Sequence, residues 1–303
     1  MLDLISNSMR KTGLPLKISR EAVNDWWKSL SLGEGEFFFF TGLLYQLTPY
    51  IESTVEKLEK IENSRAKSLL PLLKALPQFF VRTAIRPRSK GLYSKIVKSV
   101  YELLRSSGVS LWYEPKLDYY SGVLLYDLGE EELFEEHANF VTEKLEKGGV
   151  KKLVTIDPHT TYALRELYPK FVGRSFKVVS YIELLENSRG FSREKVVLHD
   201  PCYYARYLNL HGKLRSVLEN FGVEFSEVRN SREMTSCCGG PIESLSATLS
   251  REIARVRVEE LNGGKIVTAC PICLSNLKRA GGDVVDLAIL LFQGASSTFR
   301  NRR

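Results

Sequence analysis

The amino-acid sequence predicts an α/β protein of two similar lobes, each built on a parallel sheet with helical crossovers. Three observations lead there. Apolar runs of strand length alternate with amphipathic stretches of helix length, the pattern of parallel strands joined by helices. The order of these elements repeats, more compactly, in the second half of the chain. Finally, "LVTIDPHTTYALREL" (153–167) is echoed at a constant offset by "IVTACPICLSNLKRA" (266–280): Val-Thr recurs, Pro158 meets Pro271, Leu164 meets Leu277, and Arg165 meets Lys278.

The segment to about Glu34 reads as helical, because "SREAVNDWWKSLSL" offers Ser19 as an N-cap and spaces Val23, Trp26, Trp27 and Leu30 along one helix face. "GEFFFFTG" then reads as a buried strand ending at Gly42. Residues 50–107 have a helical pattern broken near Pro87 and Gly91. "VSLWYE" predicts a second strand, "EEELFEEHANFVTEKLEKGG" an amphipathic helix stopped by Gly-Gly, and "KKLVTID" a third strand followed by a helix from about Thr161. In the second half "EKVVLHD", "VEFSEV" and "KIVTAC" predict strands. "GKLRSVLENFG", "SATLSREIARVRVEELNGG" and the run after Cys273 predict helices. The boundaries expected are a helical segment at 1–35, a first lobe at 36–188 with a helical insertion, and a second lobe at 189–303. Lobes of this kind carry their sites at the carboxyl ends of the strands.

Bulk composition excludes several classes. At 303 residues, 44% hydrophobic and 26% charged, the chain has ordinary globular composition. No apolar run approaches the roughly 20 residues that span a bilayer, and the start "MLDLISNSMRK" has no signal-peptide pattern, so a cytoplasmic protein is expected. The net charge of +7 is spread along the chain with no dense basic block, so no nucleic-acid partner is expected.

Cysteine usage is far more telling. All five cysteines, Cys202, Cys237, Cys238, Cys270 and Cys273, fall in the last third. An odd number in one region of a chain without secretory features points to metal or redox chemistry rather than to a disulfide framework. Soft sulfur binds iron or zinc as thiolate. The local contexts suit such a site: Pro201 ends a strand just before Cys202, "SCCGGP" has glycines that let backbone N–H groups approach an anionic centre, and Pro271 opens a helix whose free N–H groups favour thiolate. A four-thiolate zinc site and a redox pair at Cys270 and Cys273 are the competing readings.

"HDPCYYARYLNLHGKLRSVLENFGV", "SCCGGP" and "GGKIVTACPICLSNLKRA", in that order within 196–291, resemble the cysteine-rich CCG domain of the heterodisulfide reductase catalytic subunit. The same domain occurs in iron–sulfur subunits of glycolate, lactate and glycerol-3-phosphate dehydrogenases. The resemblance implies tandem CCG domains, and it implies that Cys202, Cys237, Cys238, Cys270 and Cys273 hold one 4Fe–4S cluster, which in heterodisulfide reductase is an open, non-cubane assembly. His199, Arg206 and Arg279 lie near these cysteines in sequence, where they would either balance cluster charge or serve as ordinary polar residues.

The first lobe follows the same scaffold without the cysteines. Leu43 stands at the first ligand position, Tyr120–Ser121 replace the double cysteine before the retained Gly122, and Asp157 and Thr160 stand at the last two. Asp157 with His159 could bind another metal, but Asp-Pro-His at a helix start reads better as a cap. "ISNSMRKTGLPLKISREAVNDWWKSL" resembles the linker after the ferredoxin domain of fused family members. Electrons are therefore expected from a separate flavin- or ferredoxin-type subunit. "LLPLLKALPQFFVRTAIRPRSKG", with Arg82, Arg86, Arg88 and Lys90, reads as a docking surface for a protein or a membrane complex, or as an added core helix. The function expected is a heterodisulfide-reductase-like oxidoreductase subunit exchanging electrons with a thiol/disulfide substrate. The alternatives are an electron-transfer subunit of one of the dehydrogenases named above, or a zinc-bound scaffold.

Overall fold

The computed structural model describes residues 2–62 and 87–300. Among these residues eight short strands form two four-stranded, all-parallel sheets. The first contains β1 (Phe37–Phe40), β2 (Leu111–Trp112), β3 (Lys152–Thr155) and β4 (Lys177–Ser180), in the order β2-β1-β3-β4. The second contains β5 (Lys195–Leu198), β6 (Glu224–Ser226), β7 (Ile266–Thr268) and β8 (Val284–Asp286), in the order β6-β5-β7-β8. Central strands of parallel sheets are covered on both faces and so read as unbroken apolar runs; Phe38, Phe39 and Phe40 are fully buried, and so is Leu198.

The two orders are the same, and the registers agree. Phe38 pairs with Leu153 as Val197 pairs with Ile266, and Thr155 pairs with Ser180 as Thr268 pairs with Asp286. Carrying the first correspondence along the chain sets Leu43 against Cys202 and Tyr45 against Tyr204. Carrying the second sets Asp157 and Thr160 against Cys270 and Cys273. The same correspondence governs how the lobes meet. The Tyr45 hydroxyl donates to Asp286 Oδ2 at 2.7 Å, and the Tyr204 hydroxyl bonds Ser180 Oγ at 2.8 Å. Each lobe thus sends the equivalent tyrosine to the end of the other lobe's fourth strand. Asp286 is fully buried, and desolvation lifts its pKa to about 7 although Tyr45 works against the rise. Tyr45→Phe is expected to cost about 1–3 kcal/mol, between the values for hydrogen bonds to neutral and to charged groups, since Asp286 is partly protonated near neutral pH. Urea unfolding monitored by circular dichroism would measure it, and a loss under 0.5 kcal/mol would show that this contact does not hold the lobes together.

Several expectations need correction. The helix expected across 19–32 is only Arg20–Val23 followed by a 3-10 turn at Trp26–Ser29, and a separate helix occupies Leu2–Thr12. Burial of Trp26 decides this. Its ring packs 4.9 Å from Tyr113 and 5.3 Å from Phe39, while Asn24 leaves helical geometry and accepts from the Tyr113 hydroxyl at 2.8 Å. Ser19 stands at the N-cap position but makes no side-chain cap bond. "VSLWYE" yields only the two-residue β2, and the helix after β3 begins at Pro158 rather than Thr161. Strands β4 and β8, which complete each sheet, were not anticipated.

Among the described residues, the helical stretch expected across 50–107 contains helices Leu44–Glu62 and Lys90–Ser106, the second running through Gly91, where a break was expected. The proposed docking segment, including Arg82 and Arg86, lies outside the described residues apart from its last few. Of those, Lys90 is not free to meet a partner, because its ammonium pairs with Asp25 at 2.6 Å and donates to Ala22 O at 3.1 Å.

Candidate functional site

The site lies beyond the carboxyl ends of β5 and β7, where three separate segments deliver cysteines. The first is the β5 exit, His199-Asp200-Pro201-Cys202. The Asp200 carboxylate is fully buried and receives both terminal nitrogens of Arg215 at 2.9 Å each, together with the backbone N–H of Arg232 at 2.7 Å. Arg215 also grips Glu227 at 2.7 Å and holds its carboxyl down to about 2. A buried charge needs this degree of pairing, and the result is a fixed turn from which Cys202 projects.

The second segment carries Cys237 and Cys238. Thr235 Oγ1 donates to Asp200 O at 3.0 Å, and Arg206 Nε donates to Glu233 O at 3.0 Å, tying this loop to the β5 exit. Gly239 has φ +82, and a Cβ there would lie 2.7 Å from Ser250 O, so glycine is required on both counts. Its N–H donates to Cys237 Sγ at 3.3 Å. Asn276 Nδ2 pins Cys238 O at 2.8 Å. The third segment is Cys-Pro-Ile-Cys, in which Cys270 is the N-cap of helix Pro271–Arg279 and Cys273 sits in its first turn.

The five thiols form one contiguous group. Cys202 adjoins Cys237, Cys237 adjoins Cys238, Cys238 adjoins Cys273, and Cys273 adjoins Cys270, each close enough to perturb the ionisation of the next. All five are free, and Cys238, Cys270 and Cys273 are buried. Hydrogen bonds from Cys202 and Cys238, aided by the Gly239 N–H and opposed by burial, bring Cys237 down to about 2. Burial opposes ionisation of Cys270 as well, but bonds from Cys273 and His159 hold it well below the usual thiol range. The same contacts push Cys202, Cys238 and Cys273 upward, because further negative charge here meets the first two thiolates. A cationic core that takes the place of the remaining thiol protons resolves that conflict, and five soft donors suit iron or zinc.

Two imidazoles border the sulfurs. His199 is buried, and its ring, Cys238 and Cys273 bring their ligating atoms within 4.8 Å of one another. Arg257 Nε donates to His199 Nδ1 at 3.1 Å, whereas Nε2 has no hydrogen-bond partner among the described residues. Burial, followed by the Arg257 charge, drives the His199 pKa down to about 3. The second imidazole belongs to the cysteine-free lobe. His159 lies next to Cys270 across the lobe boundary and packs 4.3 Å from the Tyr203 ring, whose hydroxyl bonds Asp127. Burial disfavours its cation, but the Cys270 bond and the Asp127 and Asp157 charges raise its pKa to about 9. An apolar cavity of about 120 Å³, walled by Leu44, Val55, Leu124, Pro241 and Ile272 among others, reaches Asp127 and His159.

Sequence reasoning weighed His159 only as an Asp157 companion, and it missed Asp127, Tyr203 and Arg257 altogether. The Asp-Pro-His tripeptide was the available signal, but it does not say which lobe the ring faces. Asp157 itself is the expected cap, accepting from the Thr160 N–H at 2.9 Å. Arg206 bonds backbone carbonyls, and Arg279 is held by Ser250 at 3.1 Å and by Asn276 at 2.5 Å; both brace the loops around the site. Leu43 stands where Cys202 stands in the other lobe, in left-handed backbone at φ +57. Beside it the buried Asp118 carboxylate accepts from the backbone N–H groups of Thr41 and Gly42 at 3.1 and 3.2 Å.

Residues 196–278 match the family described as CCG, the cysteine-rich domain. Over 197 residues, 60% of this chain, the sequence is 34% identical to the "Probable iron-sulfur-binding oxidoreductase FadF" of Bacillus subtilis (strain 168), covering 28% of that protein. Over 203 residues, 60% of this chain, it is 29% identical to the "EtfAB:quinone oxidoreductase" of Syntrophomonas wolfei, again covering 28%. It is 27% identical over 203 residues, 61% of this chain, to the "Probable membrane-anchored ferredoxin" of Chromohalobacter salexigens, covering 30%. The chain thus spans less than a third of the length of these relatives. Among the described residues no helix is long and apolar enough to cross a membrane.

Proposed function

With a CCG cysteine-rich domain at residues 196–278, we propose that the chain is an electron-transfer component of an iron–sulfur oxidoreductase, with Cys202, Cys237, Cys238, Cys270 and Cys273 holding one cluster. The observation that carries this reading is the convergence of five free thiols, from three segments far apart in sequence, into one contiguous group. A tetrahedral zinc site uses four ligands and leaves the fifth thiol without a role. Iron held by thiolates passes single electrons. The finer form of the proposal is a 4Fe–4S centre that acts in the cytoplasm, is served by a separate flavin- or ferredoxin-type subunit, and exchanges electrons with a thiol/disulfide substrate.

The protein's own part is to hold and shield the sulfurs. Gly239 N–H and the first turn of helix Pro271–Arg279 stabilise sulfur charge, and Asn276 and Arg215 fix the loops. The names of the curated relatives, which speak of iron–sulfur binding and oxidoreductase activity, support this chemistry.

The test is metal analysis of anaerobically purified protein. We expect a brown protein with about four irons and matching acid-labile sulfide, as one 4Fe–4S cluster requires. A colourless protein carrying one zinc defeats the proposal. Electron paramagnetic resonance with and without an added disulfide tests the finer form, which requires the signal to change when the disulfide binds.

A further inference from the structure

We infer that two imidazoles, His199 from the cysteine-bearing lobe and His159 from the cysteine-free lobe, donate N–H hydrogen bonds to the sulfurs of the proposed cluster and raise its reduction potential, with His199 acting as a donor and not as a ligand. The inference rests on the reading that these cysteines hold an iron–sulfur centre.

The polarity of one hydrogen bond decides the role of His199. Its position beside Cys238 and Cys273 is that of a third ligand. A ligating imidazole, however, normally donates its other N–H to a carboxylate, a carbonyl or water. Here the other nitrogen, Nδ1, faces Arg257 Nε at 3.1 Å, and a guanidinium has only donors. Nδ1 must therefore accept, which leaves the proton on Nε2. That N–H is fully buried and without a partner among the described residues, a rare condition in a native interior. The sulfurs of Cys238 and Cys273 are the acceptors nearby. Arg257 cannot turn away easily, because it is 1% exposed and its Nη1 is held by Glu260 at 2.5 Å.

His159 reaches the same group from the other side. By the strand correspondence it is the first lobe's counterpart of Ile272, which lies between the two cysteines of the Cys-Pro-Ile-Cys turn. Its ring is steadied by Tyr203, and Cys270 is the thiol beside it. The cysteine-free lobe thus supplies one of the two donors, which gives a scaffold lacking thiols a direct part in the redox centre. Donors to sulfur stabilise the more negative, reduced state, so each raises the potential.

The test uses the full chain with its cluster and the variants His199→Leu, His199→Gln, His159→Leu and His159→Gln. Redox titration should give a lower midpoint potential in each leucine variant, a further drop in the double variant, and partial recovery with glutamine, which keeps an N–H. Pulsed electron paramagnetic resonance of the wild type should show only weakly coupled nitrogen. Strongly coupled nitrogen that disappears in His199→Leu would make His199 a ligand and overturn the assignment. So would unchanged potentials at full iron content, or loss of iron in the leucine and glutamine variants alike. A wild type without iron and sulfide would remove the cluster reading itself, an outcome recognisable before any variant is made.

Discussion

Cys238→Ser is expected to strip most of the bound iron from the protein while leaving its fold intact. Cys238 joins the two halves of the thiol group, because its sulfur reaches both Cys237 and Cys273, and it is 3% exposed. Serine keeps the backbone placed by Asn276 but puts a hard, protonated oxygen where a soft thiolate is needed. The change in volume is small, so circular dichroism should stay close to wild type while the visible absorbance and iron content fall together. The matched control is Asp157→Ala in the other lobe. It removes a buried N-cap, costing about 0.5–2 kcal/mol, yet it should retain the iron, since the Asp157 carboxylate is engaged with the Thr160 N–H. If the aspartate variant loses the metal and the serine variant keeps it, the proposed centre has been assigned to the wrong lobe.

The cysteine-bearing lobe was legible in sequence because each of its parts is local. A strand that stops three residues before Pro201, an adjacent cysteine pair followed by two glycines, and a helix opening at Pro271 each announce their geometry within a few residues. What was not legible depends on contacts between distant residues. Trp26 leaves the expected helix to join Phe39 and Tyr113. β4 and β8 are runs of three or four residues that pass straight into helices, and only pairing with β3 and β7 identifies them as strands. His159 looks like an ordinary helix-start residue until the lobes pack and bring its ring to Cys270. The role of Arg257, more than fifty residues from His199 in the chain, follows from no motif at all.

Arg215→Ala is expected to destabilise the protein by about 3–5 kcal/mol, the cost of removing one partner from a buried ion pair. That is a large share of the roughly 5–15 kcal/mol that holds an ordinary domain folded. The loss falls on Asp200, whose buried carboxylate would keep only the Arg232 N–H, and on the turn that presents Cys202. Lysine should rescue little, since a point charge cannot replace two parallel bonds to the same carboxylate. The acid side provides a check of sign. Arg215 depresses Glu227 from 4.5 to about 2, so this pair stabilises the wild type above pH 4.5 and the benefit fades as pH falls toward 2. The gap between wild type and variant should narrow over that window; a gap that widens would show that Glu227 does not depend on Arg215. All three tryptophans, Trp26, Trp27 and Trp112, lie in the first lobe or the segment before it, whereas Arg215 lies in the second. Because Tyr45 and Tyr204 bind the lobes reciprocally, tryptophan fluorescence and circular dichroism should shift by the same amount in the variant. A fluorescence transition that stays at its wild-type midpoint would mean that the lobes unfold independently, and that the tyrosine exchange contributes little to their union.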